Sequence, residues 1–198
     1  MEETNEIHTF RIRIAIKGTR PLVWRLLEVP SNITFDAFHH VLQLVFGWSN
    51  SEDFEFNAHG YTICNHAHHE RMTIIAASEV LLSEVLHQRL DKMHYTYNLF
   101  SSWLHVLRLD EIVPYKGNQV ICIEGKNACP IEDIGGVFGH NHLISAYLSD
   151  SLAMRRQLEW IDEAYRPFAF NVMETNSRLE LLDEYIANWQ SFFKKLQK

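Results

Sequence analysis

The residues best able to do chemistry fall in a few short stretches. Cys129-Pro130-Ile131-Glu132-Asp133-Ile134-Gly135-Gly136 sets two adjacent carboxylates in a loop that proline stiffens and paired glycines bend. Like charges held close in a partly dry site push one carboxyl upward, so the loop reads as a shaped recognition surface or a general acid–base pair. The structural alternative is an acidic loop whose carboxylates cap a following helix or pair with Arg or Lys. His105, in Trp103-Leu104-His105, could join Glu132 and Asp133 in hydrolysis, or activate Cys129 as a nucleophile. Against the second idea, a buried cysteine usually packs as a small apolar residue. Glu132, Asp133, His105 and Cys129 are the candidate catalytic residues.

Cys64-x-His66-x-His68-His69 offers thiolate and imidazole ligands, and on a strand Cys64, His66 and His68 would share one side. No CxxC or distant HxxxH supplies a second half, so the tract also reads as a solvated, His-rich loop that takes up zinc adventitiously. His140 and His142 could add ligands only if folding brought them near. HExxH and Gly-x-Ser-x-Gly are missing, and the glycines from Gly135 to Gly139 lack the Gly-Lys-Ser/Thr ending of a phosphate loop. No cofactor is expected.

Trp24, Trp48 and Trp103 either share one core or line one groove. Arg11, Arg13, Lys17, Arg20 and Arg25 concentrate in the first 25 residues, a local basic face that could hold nucleic acid. Its plainer reading is a solvated sheet face linked to Glu and Asp.

The elements that must position these groups follow from periodicity. Phe10, Ile12, Ile14 and Ile16 alternate with Arg11, Arg13 and Lys17, predicting a strand over 8–17 with one buried face. Gly18 to Pro21 turns the chain, and Leu22 to Val29 returns as a second strand stopped by Pro30. Thr34 is an N-cap, Phe35, Phe38, Leu42 and Val45 form a helical stripe, and Gly47 ends it. Asp53 to Phe56 and Tyr61 to Cys64 form a hairpin through Gly60, and a helical turn covers Ser78 to Leu86. Strands follow at Met93 to Tyr97, Trp103 to Leu109 and Val120 to Glu124. A helical run lies within Leu143 to Trp160, and Pro167 interrupts it. Asn171 and Glu174 stand at capping spacing before a C-terminal helix over 172–197. Its residues Leu179, Leu182, Ile186, Trp189, Phe193 and Leu196 make a seam at steps of three and four. That seam packs on its own domain or meets a partner helix or a second copy.

The 198 residues suffice for one large domain that buries about 70% of its unfolded surface. A net charge of −7, from 18 basic and 25 acidic side chains, argues against a general nucleic-acid coat. Three cysteines do not form a secreted disulfide framework, and the acidic, polar first residues do not resemble a secretory signal. No apolar run reaches the length of a membrane span. A cytoplasmic location, without membrane attachment, is the expectation.

Three segments together resemble the plasmid pRiA4b ORF-3-like domain family, whose members include TnpR-like passenger proteins of insertion elements. They are FRIRIAIKGTRPLVWRLLEVPSNITFDAFHHVLQLVFGW (10–48), YTYNLFSSWLHVLRLDEI (95–112) and GKNACPIEDIGGVFGHNHLI (125–144). A weaker echo runs from Trp160 to Leu179, with Phe168, Phe170 and Asn176. Where the family usually has His-x-His before Glu-Phe, this chain has Glu52, Asp53 and Phe54. Where it has Asp-Phe-Gly-Asp, this chain reads Asn98, Leu99, Phe100 and Ser101. Trp103, His105, Cys129, Glu132 and Asp133 match. The resemblance, over 10–180, implies a single α+β roll-like domain with a mixed or antiparallel sheet packed by helices. It carries no established activity.

The resulting expectation is one domain over 1–198, with a helical C-terminal part and a non-enzymatic binding or adaptor role tied to mobile elements. Its binding residues would be Trp24, Arg25, Trp48, Trp103, His105, Glu132 and Asp133. A hydrolase built on Glu132, Asp133 and His105, with or without metal, is the first alternative. Nucleic-acid binding through the N-terminal strands is the second.

Overall fold

The structure, a computed structural model, describes residues 6–65, 74–156, 159, 161–162 and 164–196. Alternation decides the first strand, β1 (His8–Ile16): Phe10, Ile12, Ile14 and Ile16 share one face and are at most 3% exposed. Burying each such side chain is worth about 1.5–3 kcal/mol. A slip of one residue would turn all four outward, so the register is firmly specified. β2 (Trp24–Pro30) returns antiparallel to β1, with Ile12 opposite Leu27 and Ile14 opposite Arg25.

Thr34 then caps α1 (Phe35–Phe46) by accepting from the Ala37 N–H, and Gly47 closes it at φ +73° with its N–H on the Gln43 carbonyl. Phe35, Phe38, Val41, Leu42 and Val45 are at most 1% exposed and fill the layer between helix and sheet. β3 (Phe54–Ala58) and β4 (Tyr61–Cys64) form the expected hairpin, closed by His59 and Gly60, both at positive φ. A short strand that no alternation announced, β5 (Ile74–Ala76), lies parallel to β4. β6 (Lys92–Tyr97), β7 (Trp103–Pro114) and β8 (Ile121–Lys126) complete an eight-stranded sheet in the order β5-β4-β3-β6-β7-β1-β2-β8. Every pairing except β4–β5 is antiparallel. The fold is therefore α+β, as expected.

Two helical boundaries differ from the periodicity. α2 (Gly136–Tyr147) starts seven residues before Leu143, because Gly136 and Gly139 let the helix press onto Ser101 and Ile134, where a Cβ would collide with carbonyl oxygens. A five-residue helix, α3 (Leu152–Arg156), follows. The single C-terminal helix expected over 172–197 is instead two, α4 (Val172–Leu179) and α5 (Leu182–Leu196). Asn171 caps α4 by accepting from the Met173 and Glu174 amides. The break at Glu180 and Leu181 lets Leu179 reach the sheet core while Tyr185 and Trp189 turn toward His40 of α1. The side chains of Phe193 and Leu196, and Trp160, lie outside the described residues. Among the described residues, no helix is long and apolar enough to cross a membrane.

Candidate functional site

Four stretches far apart in the chain meet beside the C-terminal end of α1. The indole N–H of Trp48 donates to the Pro130 carbonyl at 3.2 Å, and that of Trp103 to the Glu132 carbonyl at 3.1 Å. The Glu132 carboxylate accepts from Tyr97 Oη (2.5 Å), Ser49 Oγ (3.0 Å) and Ser49 N (2.8 Å). Trp48 stacks on Tyr97 with centroids 5.1 Å apart and meets His105 edge-on at 5.3 Å. Charge-assisted bonds to a carboxylate are about twice as strong as neutral ones. Glu132 is thus a clamp that ties the 129–133 loop to β6 and to the turn after α1.

A second, buried network holds the other side of that turn. Tyr95 Oη accepts from Gln43 Nε2 at 3.0 Å and donates to His39 Nδ1 at 2.8 Å. The remaining His39 N–H goes to Asn50 Oδ1 at 2.5 Å, so the network assigns the Nε2 tautomer. Asn50, at φ +59°, also donates its amide N–H to Gln43 Oε1 and its side-chain N–H to His40 Nδ1. Burial pushes His39 down to about 3 and lowers His40 as well, so both rings are neutral at physiological pH. His39 lies four residues after Phe35 and Gln43 four after His39, on the buried ridge of α1. That spacing is the sequence signal that could have found this network.

Between these two anchors, residues 49–54 line a cleft of about 760 Å³ with Asp36, His39 and His40 of α1 and Trp189 and Phe192 of α5. Glu52, Asp53 and Phe54, the stretch that stands where the family usually has His-x-His, line this cleft. Among the described residues that line it there is no Lys or Arg.

The expected catalytic grouping does not assemble. His105 is wholly buried; its Nδ1–H donates to the Tyr95 carbonyl at 3.2 Å and Nε2 has no partner. Burial pushes it down to about 4. No hydrogen bond joins it to Glu132, Asp133 or Cys129. Asp133 is exposed and takes no part in the clamp. Burial drives the Cys129 thiol far above its ordinary range, so no thiolate forms for attack. Of the metal candidates, Cys64 ends β4, while His66 and His68 lie outside the described residues. Among the described residues, no three His, Cys, Asp or Glu side chains could hold a metal ion together.

The expected binding set divides. Trp48, Trp103, His105 and Glu132 come together, whereas Trp24 lies on the opposite sheet face beneath the Arg13 guanidinium, 4.4 Å from its ring centroid. Arg25 is not on the basic face either: it sits opposite Ile14, on the core side, and is 2% exposed. Its neighbours at i+2 and i+4, Leu27 and Val29, already pointed inward. Arg11 and Arg13 of the basic face are paired within the sheet, whereas Lys17 and Arg20 enter none of these ion pairs. Arg11 pairs with Glu28 at 2.9 Å and Glu111 at 2.5 Å, Arg13 and Arg108 share Asp110, and Lys116 reaches Glu28 at 2.7 Å.

The clamp's parts, Gly47-Trp48, Tyr95 to Tyr97, Trp103-x-His105 and Cys129 to Asp133, all lie within the span that matches known proteins. The chain is 28% identical, over 185 residues, to the uncharacterized protein y4hQ of Sinorhizobium fredii, covering 90% of this chain and 93% of that one. Its fold is similar to the crystal structure of MM3350, a protein of unknown function from Methanosarcina mazei Go1. The TM-score is 0.76 at 25% identity, covering 86% of this chain and 98% of that one. Residues 8–174 match the model of the plasmid pRiA4b ORF-3-like proteins, and with the clamp's four segments inside that span, the chain belongs to this family.

Proposed function

We propose that the protein is a non-enzymatic binding domain of the cytoplasm whose cleft takes a basic segment of a protein partner. The observation that carries the reading is the cleft's lining. Asp36, Glu52 and Asp53 bring negative charge, Phe54, Trp189 and Phe192 bring aromatic faces, and the two histidines beneath are held neutral. Lysine and arginine side chains suit such a lining, because carboxylates attract the charge and ring faces attract the cation at short range. The net charge of −7 favours encounter with a basic partner over an acidic one. A neutral, fully packed His105 and a Glu132 occupied by three donors support binding over acid–base chemistry. The family's plasmid origin supports a partner among proteins that travel with mobile elements.

Tryptophan fluorescence titration with a lysine- and arginine-rich peptide tests the reading. Saturable binding is expected, weakened by salt and by at least about tenfold in both Trp189→Ala and Glu52→Lys. Absence of binding, or equal binding of an acidic peptide, would overturn it. Native mass spectrometry shows whether a second copy of the chain, seated through α5, is the occupant instead.

A further inference from the structure

A separate cavity of about 360 Å³ lies between the C-terminal end of α1, residues 128–129, residues 164–171 and α4, sharing no lining residue with the cleft. Three arginines line it: the exposed Arg166, whose Nη1 donates to the Tyr165 carbonyl, and Arg25 and Arg178, which carry buried guanidinium edges. Arg25, 2% exposed, is held between the rings of Phe170 and Phe46, with Cζ 4.0 and 5.4 Å from their centroids. Its Nη1 donates to the Trp24 and Lys126 carbonyls, which uses one edge of the fork. Its Nε–H, on the other edge, is buried without an acceptor. Arg178 of α4 lies across Gly47, so close that a Cβ there would stand 2.5 Å from Nη1. Its Nη2 reaches Thr175 Oγ1 only at 3.5 Å, and its Nε–H is likewise buried without an acceptor.

No described carboxylate forms an ion pair with either guanidinium. Glu174 borders the cavity from its exposed side without pairing with them. The Cys129 thiol also lines the cavity, and burial favours its neutral form while the two guanidiniums oppose that shift. Burial lowers Arg25 to about 10; the Cys129 and Cys122 sulfurs act against that lowering and the neighbouring Arg178 charge adds to it. Two carbonyl bonds and two ring faces could explain one buried arginine as packing. They do not explain a second guanidinium beside it, also with an unpaired Nε edge. That edge, Nε–H with an Nη2–H, is the arrangement that accepts two oxygens of one anion side by side.

We propose that this cavity binds a small oxyanion, a phosphoryl or carboxylate group held by the unpaired edges of Arg25 and Arg178. The volume suits inorganic phosphate or a short organic acid, and Phe170 and Tyr165 supply apolar walls for the remainder of such a ligand. Gly125 belongs to the site's construction, because a Cβ there would meet Arg25 Cδ and the Phe170 ring at 2.7 Å.

The test is thermal melting and calorimetric titration of the full chain with inorganic phosphate in one arm and succinate in the other, at ionic strength fixed with chloride. A saturable rise in the melting midpoint is expected with at least one of the two, and the responding arm identifies the group. Affinity should fall by about tenfold or more in Arg178→Gln, whose side chain is only partly buried. Trp189→Ala, at the cleft, should bind as wild type does, which separates this site from the basic-segment reading. Arg25→Lys keeps the charge and loses the fork; if it folds, it should bind as weakly as Arg178→Gln. No saturable response below about 10 mM of either anion, or undiminished binding by Arg178→Gln, would overturn the proposal.

Discussion

Glu132 takes three hydrogen bonds on one carboxylate, and one of its donors, Tyr97, also accepts the Ser51 N–H at 3.1 Å. Burial first, and the bond to Glu132 second, push the Tyr97 phenol well above its ordinary range, so it remains a donor at every working pH. The histidines behave differently. Burial pushes His39 down to about 3 and His105 and His140 to about 4, against about 6.5 in an unfolded chain. All three are neutral when folded, while the unfolded chain gains protons below about pH 6.5. Their contribution to stability is therefore whole above that pH and is lost as pH falls toward 4, by up to about 1.4 kcal/mol per pH unit for each. Urea unfolding should show a midpoint that drops steadily from about pH 7 to about pH 5; a flat profile would contradict these burials. At this scale the residue types were legible and their roles were not. Glu132 stood out as a carboxylate next to another, yet adjacency to Asp133 proved irrelevant: Asp133 points to solvent, and three donors from distant elements define Glu132.

The elements whose signals are local were read correctly: α1 has both caps, Thr34 and Gly47, and an apolar stripe, and β1 has strict alternation. Elements set by tertiary contact were not. The start of α2 hides in a glycine-rich run that serves close packing, and the seam across Leu179 and Leu182 passes over a helix break without a proline or glycine to mark it. α4 has a further task at the sheet edge. Asn176 accepts the Cys122 N–H at 2.7 Å and donates to the Cys122 carbonyl at 3.0 Å, as a neighbouring strand would. An edge strand with unpaired amides invites association, and this amide closes part of β8. Asn176→Ala should cost about 1–2 kcal/mol in urea unfolding, since it leaves both backbone groups without that partner. Unchanged stability would show that water replaces the amide without loss.

Across the whole molecule, the order of the family segments was visible in the chain, but their meeting point was not. It depends on the strand order that sets β3, β6 and β7 side by side and on the return of residues 129–133 across the Trp48 and Trp103 indoles. The outcome is a division of labour: the clamp holds the turn at 48–53 through Ser49, and residues of that turn line the cleft. Arg11, Arg13 and Arg108 pair with carboxylates of the same sheet face, and the acidic, aromatic cleft is the surface we propose for recognition. Amide hydrogen exchange, compared between wild type and Glu132→Ala, tests most directly whether the clamp holds that surface. The expected result is exchange faster by about tenfold or more across residues 48–53, with the amides of β1 and β2 unaffected. Equal exchange in 48–53 of both proteins would contradict the account, because the cleft wall would then stand without Glu132.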